Sequence, residues 1–459
     1  VQLLVSAHDF YPDPGSGGTG RYVHETARRL ADRGHDVSVL TRRRGDVPLR
    51  ETVAGVQVAR YDFSIADQPA PTIAAQSPAA IRAVRDHLDA LPAPDLVSFQ
   101  GTVTDPLVDL LVNDDVPRSA TVHSPWPTEY RIRASHESGV SVARRELNAM
   151  LRERVERWTL DRCDHATTLS EFMAETLRDV HGPVVDTEVV PGGVDAERYR
   201  PDAGVYEPMA VRRGREQAAG KGRECTSAVE LDGRRADGGA SAHGEANIDC
   251  GTSPPDSPRD GERVADGTSV GDSLAFLTVR RLSPRMGHDL LLRAFARVAT
   301  DHPDAQLYVA GDGPLRGDLE RMAADLGIAD RVTFLGYVPD EDLPSAYATA
   351  DCFVLPTRRL EGFGLATLEA LASGTPVVAT PVGGTTEILA GLRGDDRVPA
   401  EMVVPSFGAS ALADRLAAWA DLAPAERAAA GRACREHARE NFSWERAADA
   451  LAEQYATLI

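Results

Sequence analysis

Lysine is almost missing from this chain: Lys221 is the only one among 459 residues, so nearly all of the 50 basic side chains are arginines. Acids outnumber bases by 70 to 50, the formal net charge is −20 and the pI is near 5.1. That sign excludes sequence-independent nucleic-acid binding, which needs clustered positive charge to displace counterions from phosphates. Acid excess with arginine in place of lysine points to a solvated, salt-tolerant surface of the kind halophiles carry, although a GC-rich genome also favours arginine. Cysteine is sparse. Cys163, Cys225, Cys250, Cys352 and Cys434 are odd in number and lack any C-x-x-C spacing, which excludes a disulfide framework and a thiolate metal site. They read as reduced cytosolic thiols. No apolar run is long enough to cross a bilayer, which leaves peripheral contact as the membrane role open to the chain. Val1 to Ala7 has the length of a strand, with no basic stretch before it and no cleavage pattern after it, so the expectation is a cytoplasmic protein.

What is present is globular in composition, with 42% hydrophobic and 26% charged residues. The length asks for more than one domain. Short β-branched runs alternate with amphipathic helices. Strands are expected at Gln2 to Ala7, Asp36 to Thr41, Leu96 to Gln100 and Ser119 to His123, with a helix from Tyr22 to Arg33 ended by Gly34. The pattern restarts at Leu274 to Val279, continues with a helix from His288 to about Ala299, and adds strands at Gln306 to Ala310, Val332 to Leu335, Cys352 to Leu355 and Val377 to Ala379. Such alternation predicts an α/β protein of two Rossmann-like domains, over 1–200 and 273–440, each on a parallel, doubly wound sheet. Between them, residues 201–272 are rich in Gly, Ala, Ser, Arg and acids, and too poor in large apolar residues to offset chain entropy; a disordered acidic linker is expected there.

The densest cluster of chemically useful residues runs from Glu361 to Pro376, E-G-F-G-L-A-T-L-E-A-L-A-S-G-T-P. It reads as loop, helix and stop: Gly374 suits the left-handed residue after a helix, and Pro376 forbids continuation. Gly362 and Gly364 let backbone approach a ligand, and amides at the helix start can hold phosphate. Glu361 in the loop and Glu369 inside the helix can accept hydrogen bonds from the hydroxyls of a sugar and a ribose. An isolated pair of acids near a helix start is more often only a favourable charge placement.

With its two glutamates seven residues apart, this block resembles the signature of the group 1 glycosyltransferases, retaining enzymes of the GT-B type. Further matches follow in order: Gly17-Gly18, Gly34-His35-Asp36-Val37, Thr121-Val122-His123, Ser170-Glu171-Phe172, Pro191-Gly192-Gly193-Val194-Asp195, Arg281-Leu282, Gly311-Asp312-Gly313-Pro314, Phe334-Leu335-Gly336 and Phe442-Ser443-Trp444-Glu445. The resemblance implies two domains facing a central cleft, with a C-terminal helix, residues 441–459, crossing back to the first. It implies transfer of a hexosyl group from a UDP- or GDP-linked sugar, with retention, to an acceptor that could be a glycolipid, a glycan or a small metabolite, without cofactor or metal. Glu361 and the amides of Gly362, Phe363 and Gly364 would face the donor hexose, and Glu369 the ribose. Leu365 amide and Arg281 would hold the diphosphate, and Val338 would meet the base. From the opposite lobe Gly17 and Gly18 would close on the phosphates and His123 on the sugar, so that His123, Glu361 and Arg281 form the expected catalytic set.

One departure stands out. Relatives usually read G-R-L-x-x-x-K-G at the start of the second lobe, where this chain reads Arg280-Arg281-Leu282-Ser283-Pro284-Arg285-Met286-Gly287. Met286 occupies the lysine position, and Arg285 is the expected substitute for its charge on the diphosphate. Asp340-Glu341-Asp342 matches the D-x-D of a metal site, but it precedes a helix and is expected to cap it. Two alternatives stay open: an NADP-dependent oxidoreductase, since Gly15 to Gly20 satisfies G-x-G-x-x-G and Arg42-Arg43-Arg44 could serve a 2′-phosphate, and a non-catalytic GT-B relative.

Overall fold

A computed structural model of the chain describes residues 1–62, 70–101, 104–136, 141–209, 274–399 and 401–459, with the backbone alone at 70–77. The linker expected over 201–272 lies outside the described residues, apart from 201–209. The first lobe is built on eight strands, β1 (Gln2–Ser6), β2 (Asp36–Arg42), β3 (Arg50–Val53), β4 (Val56–Tyr61), β5 (Leu96–Phe99), β6 (Arg118–Val122), β7 (His165–Thr168) and β8 (Thr187–Val189). Their order is β3-β4-β2-β1-β5-β6-β7-β8, parallel throughout except for the β3–β4 hairpin. The second lobe holds β9 (Ala275–Val279), β10 (Gln306–Ala310), β11 (Val332–Gly336), β12 (Cys352–Leu355) and β13 (Val377–Ala379), all parallel in the order β11-β10-β9-β12-β13.

Parallel strands covered by helices on both faces are apolar along their whole length, and β5, β10 and β12 are buried at every residue. The order in which successive strands are added reverses between β1 and β5 in one sheet and between β9 and β12 in the other. A doubly wound sheet opens its ligand crevice at such a reversal, beyond the carboxyl ends of the strands.

The first helix spans Gly18–Asp32 and begins four residues before the expected Tyr22. Glycine is a poor helix former, which argues against helix at Gly18-Thr19-Gly20, but Gly20 packs so closely on Asp9 and Ser16 that a Cβ would lie 3.0 Å from Ser16 Cβ. Tertiary packing overrides propensity here. The β3–β4 hairpin carries little sequence signal for a related reason: its two-residue turn, Ala54 (φ 48°) and Gly55 (φ 81°), needs left-handed backbone at both positions, and alanine is not the residue that advertises it.

The C-terminal helix Trp444–Leu458 crosses back to the first lobe as the family resemblance implies. Ser443 Oγ caps it by accepting from Arg446 N at 3.2 Å. Its buried face, Trp444, Ala447, Ala448, Leu451 and Tyr455, follows the three-and-four spacing of one helix side. That face lies on the helix Gly18–Asp32, where Arg29 Nε donates to Glu445 at 2.8 Å and Trp444 meets Tyr22 edge to face at 5.9 Å. Burying Trp444, Leu451 and Tyr455 is worth roughly 1.5 to 3 kcal/mol for each side chain of this size.

Candidate functional site

The candidate residues sit in the loops and helix starts that follow the carboxyl edges of the two sheets: Gly17 and Gly18 after β1, His123 directly after β6, Arg280 to Gly287 after β9, Val338 after β11, and Glu361 to Leu365 after β12. The two lobes meet there. A Cβ on Gly18 would stand 3.4 Å from Leu365 Cδ1, so the start of the helix Gly18–Asp32 faces the start of the helix Leu365–Ala372. Two sets of unpaired amides thus converge on one space, the arrangement that attracts anions. Gly364, at the N-cap of the second of these helices, has φ +109°, and a Cβ would lie 2.4 Å from Thr385 Oγ1. Gly362 approaches the carbonyl of His123 so closely that a Cβ would come within 2.6 Å of it. Ser170 Oγ donates to Gly362 O at 2.7 Å, and the Glu387 carboxylate accepts from the amides of Glu171 and Phe172 at 2.9 and 2.8 Å, so polar bonds also close the lobes.

Glu361 is buried, and both of its side-chain hydrogen bonds use Oε2: Arg280 Nη2 donates to it, as does Thr357 Oγ1 at 3.3 Å. Oε1 has no partner among the described residues. The Arg280 side chain is about nine-tenths buried, lies 3.1 Å from Met286 Sδ, and leaves its Nε buried without an acceptor among the described residues. An unsatisfied donor of this kind costs about 1 to 3 kcal/mol. The cation beside Met286 is therefore Arg280. Arg285, the residue expected there, donates from Nη1 to Leu360 O at 2.8 Å, and its pKa is pushed down by burial and then by Arg280. Arg281 is exposed, and its side chain has no ion pair or hydrogen bond among the described residues. Glu361 thus has Arg280 bonded to it and Arg285 close by, in a protein whose net charge is −20.

His123 is half-buried, and its Nε2 donates to Gln100 Oε1 at 3.0 Å. Gln100 Nε2 donates to Ser98 Oγ at 3.0 Å, and Ser98 bonds Tyr455 OH at 3.0 Å, so the C-terminal helix supports the histidine through two intermediates. The Tyr22 ring stands on the imidazole at 5.1 Å. Desolvation pushes the His123 pKa down to about 4, so the ring is neutral near pH 7, with Nδ1 as its acceptor.

Glu369 accepts from Tyr347 OH at 3.0 Å, and burial raises its pKa, opposed by Arg21 and then by the Tyr347 and Tyr199 hydroxyls. Arg21 also pairs with Asp340 of the other lobe, to which Tyr11 OH donates at 2.6 Å. Asp340 thus binds across the lobes instead of capping a helix. Asp342 takes the N-cap position of the helix Leu343–Thr349, but its backbone is helical (φ −91°, ψ −15°) and its side chain makes no cap bond. Val338 is buried, whereas Tyr337 beside it is 74% exposed.

Two family models match the chain: glycosyl transferases group 1 over residues 262–437 and glycosyltransferase family 4 over residues 16–198. The chain belongs to the group 1 glycosyltransferases. It is 35% identical over 299 residues to a GDP-mannose-dependent alpha-(1-6)-phosphatidylinositol monomannoside mannosyltransferase of Mycolicibacterium smegmatis, an alignment that takes in 63% of this chain and 61% of that relative. Among solved structures, a sucrose-phosphate synthase from Thermosynechococcus elongatus superposes with a TM-score of 0.70 at 22% identity, covering 100% of this chain and 99% of that one. HepE of Anabaena, solved with UDP and glucose, superposes with a TM-score of 0.64 at 17% identity, covering all of both chains. The fold is GT-B. Nothing in these likenesses supports the oxidoreductase alternative, and Gly18 to Gly20 of its fingerprint belong to the helix itself.

Sequence reasoning overlooked Arg280 and the pairing of Arg21 with Asp340. The first left a signal: where relatives carry glycine and lysine, this chain carries arginine and methionine, a cation gained six residues from a cation lost. The second left none, because 319 residues separate the partners.

Proposed function

We propose that this group 1 glycosyltransferase moves a hexosyl group from a UDP- or GDP-linked sugar to an acceptor held by the first lobe, with retention and without a metal. The observation that carries this reading is the pair of facing helix starts, beside a Glu361 carboxylate that Arg280 holds through Oε2 and whose Oε1 has no partner among the described residues. A departing nucleoside diphosphate develops negative charge, and preorganised arginines and amides stabilise it more than they stabilise the bound substrate. Glu361 is oriented through Oε2, so Oε1 takes a hexose hydroxyl, with the amides of Gly362 to Gly364 alongside. Glu369 accepts from the ribose, Val338 borders the base, and neutral His123 bonds the sugar from the other side. No protein nucleophile is assigned; the leaving phosphate deprotonates the acceptor on the same face of the sugar. The Mycolicibacterium relative, named for GDP-mannose and a phosphatidylinositol mannoside, favours a lipid acceptor. HepE, solved with UDP and glucose, keeps uridine donors in the set.

Thermal-shift screening of UDP, GDP and ADP, followed by their sugars, tests the donor class. One nucleoside diphosphate is expected to raise the melting temperature by several degrees, and transfer from its sugar to persist in excess EDTA. No stabilisation at millimolar ligand would refute the donor reading, and activity lost to EDTA and restored by Mn²⁺ would refute metal independence.

A further inference from the structure

The helix Val142–Leu160 buries Glu156 and turns most of its large apolar side chains outward. Glu156, on its inner side, accepts from the Trp126 amide at 2.9 Å and faces His181 Nε2 at 2.7 Å, while the Arg152 guanidinium lies 3.8 Å from the Tyr130 ring centroid. On the outer side Leu147 is 57% exposed, Leu151 50% and Trp158 38%, with Met150 and Val155 between them. These positions follow one another at three and four residues and so share one face of the helix. No other helix among the described residues exposes a large apolar side chain. Burying charge and exposing leucine and tryptophan is unfavourable in water, and a contiguous apolar patch of this kind marks a surface that something else covers.

Charge identifies what covers it. Arg144 and Arg154 lie exposed on the same arc, and neither side chain has an ion partner among the described residues. The acids of this helix are engaged elsewhere, Glu146 and Glu153 by Arg131 at 3.0 and 3.5 Å. Between Trp126 and Arg162 the chain has eight arginines and six acids, against 50 bases and 70 acids overall. Free arginines flanking Trp, Leu, Met and Val is the composition of a helix that lies in a membrane interface. A second copy fits less well, because a two-fold contact would set Arg154 against itself with no carboxylate on the outward arc. The buried side of the helix, Glu156, Thr159 and Leu160, lines a pocket with Phe99, Val122 and Trp126.

We propose that this face seats the protein on an anionic bilayer, with Leu147, Leu151, Val155 and Trp158 entering the interface and Arg144 and Arg154 bonding lipid phosphates. This surface stands independently of the glycosyl-transfer reading, and its readout is binding.

The test is flotation of the full chain with vesicles of phosphatidylcholine, alone or mixed with phosphatidylglycerol. The expected result is flotation with the mixed vesicles only, reversed by high salt, with a blue shift of tryptophan emission that disappears in Trp158→Phe. Leu151→Glu, and separately Arg144→Glu with Arg154→Glu, should each lower the bound fraction at least tenfold without changing the melting temperature, since all three sites are exposed. Absence of flotation, or flotation that both variants leave intact, overturns the proposal. So does a concentration-dependent dimer that Leu151→Glu abolishes in a protein that ignores vesicles.

Discussion

Replacing Arg280 tests whether a cation has moved within the diphosphate site. Its guanidinium bonds Glu361 and Thr357 and rests 3.1 Å from Met286 Sδ, so an ammonium on residue 286 would enter the same space. Arg280→Gly removes a charge-assisted bond worth about 1.5 to 3 kcal/mol from a nucleoside diphosphate, which is roughly tenfold to hundredfold in Kd. It also leaves the buried Glu361 carboxylate without its partner, and the melting temperature should fall by several degrees. Met286→Lys alone crowds a second cation against Arg280 and Arg285 and should gain no affinity. Combining the two gives the glycine and lysine of the family pattern, and nucleotide binding should return to within about threefold of the parent, a coupling of at least about 1 kcal/mol between the two changes. Titration of each variant with the diphosphate found by thermal shift gives all four corners of the cycle. A double variant as weak as Arg280→Gly would refute the reasoning, and would return the role to Arg285, whose Nη1 bond to Leu360 O then has to break for ligand.

Two further outcomes follow from buried titratable groups. Glu369 has a raised pKa, so its ionised form is disfavoured by folding, and stability declines as pH rises from the ordinary carboxylate range through the folded value. Glu369→Gln should therefore leave the free protein as stable or more stable at pH 7, while weakening nucleoside diphosphate binding roughly tenfold, because a neutral amide oxygen replaces the charged acceptor of the ribose hydroxyls; loss of stability with unchanged binding would count against that role. His288 is 2% exposed with neither ring nitrogen bonded, and burial pushes its pKa down to about 4. The unfolded chain takes up that proton near pH 6.5 and the folded chain only near 4, so stability falls as pH drops through this window by up to about 1.4 kcal/mol per unit. Denaturation of His288→Leu from pH 7 to 4.5 should give a shallower slope than the parent, and equal slopes would show that His288 titrates normally.

Much of the fold was legible because its signals are local. The strands at Gln306 to Ala310, Cys352 to Leu355 and Val377 to Ala379 lie where they were expected, since a parallel strand buried on both faces must be an unbroken apolar run between turn residues. Where local preference and packing disagreed, as at Gly18 to Gly20 and at the Ala54-Gly55 turn, the reading failed. In a chain this rich in arginine, composition cannot say which guanidinium meets which carboxylate. The motif from Glu361 to Pro376 and the paired α/β pattern determined the family and the two-lobed plan. Only the tertiary structure decided that Arg280 stands beside Met286, that Arg21 reaches Asp340, that Gly18 faces Leu365, and that the helix Val142–Leu160 turns its leucines outward. Periodicity tells which residues share a face of one element, whereas charge pairing and exposure depend on distances between elements far apart in the chain, and those exist only once the sheets have closed on each other.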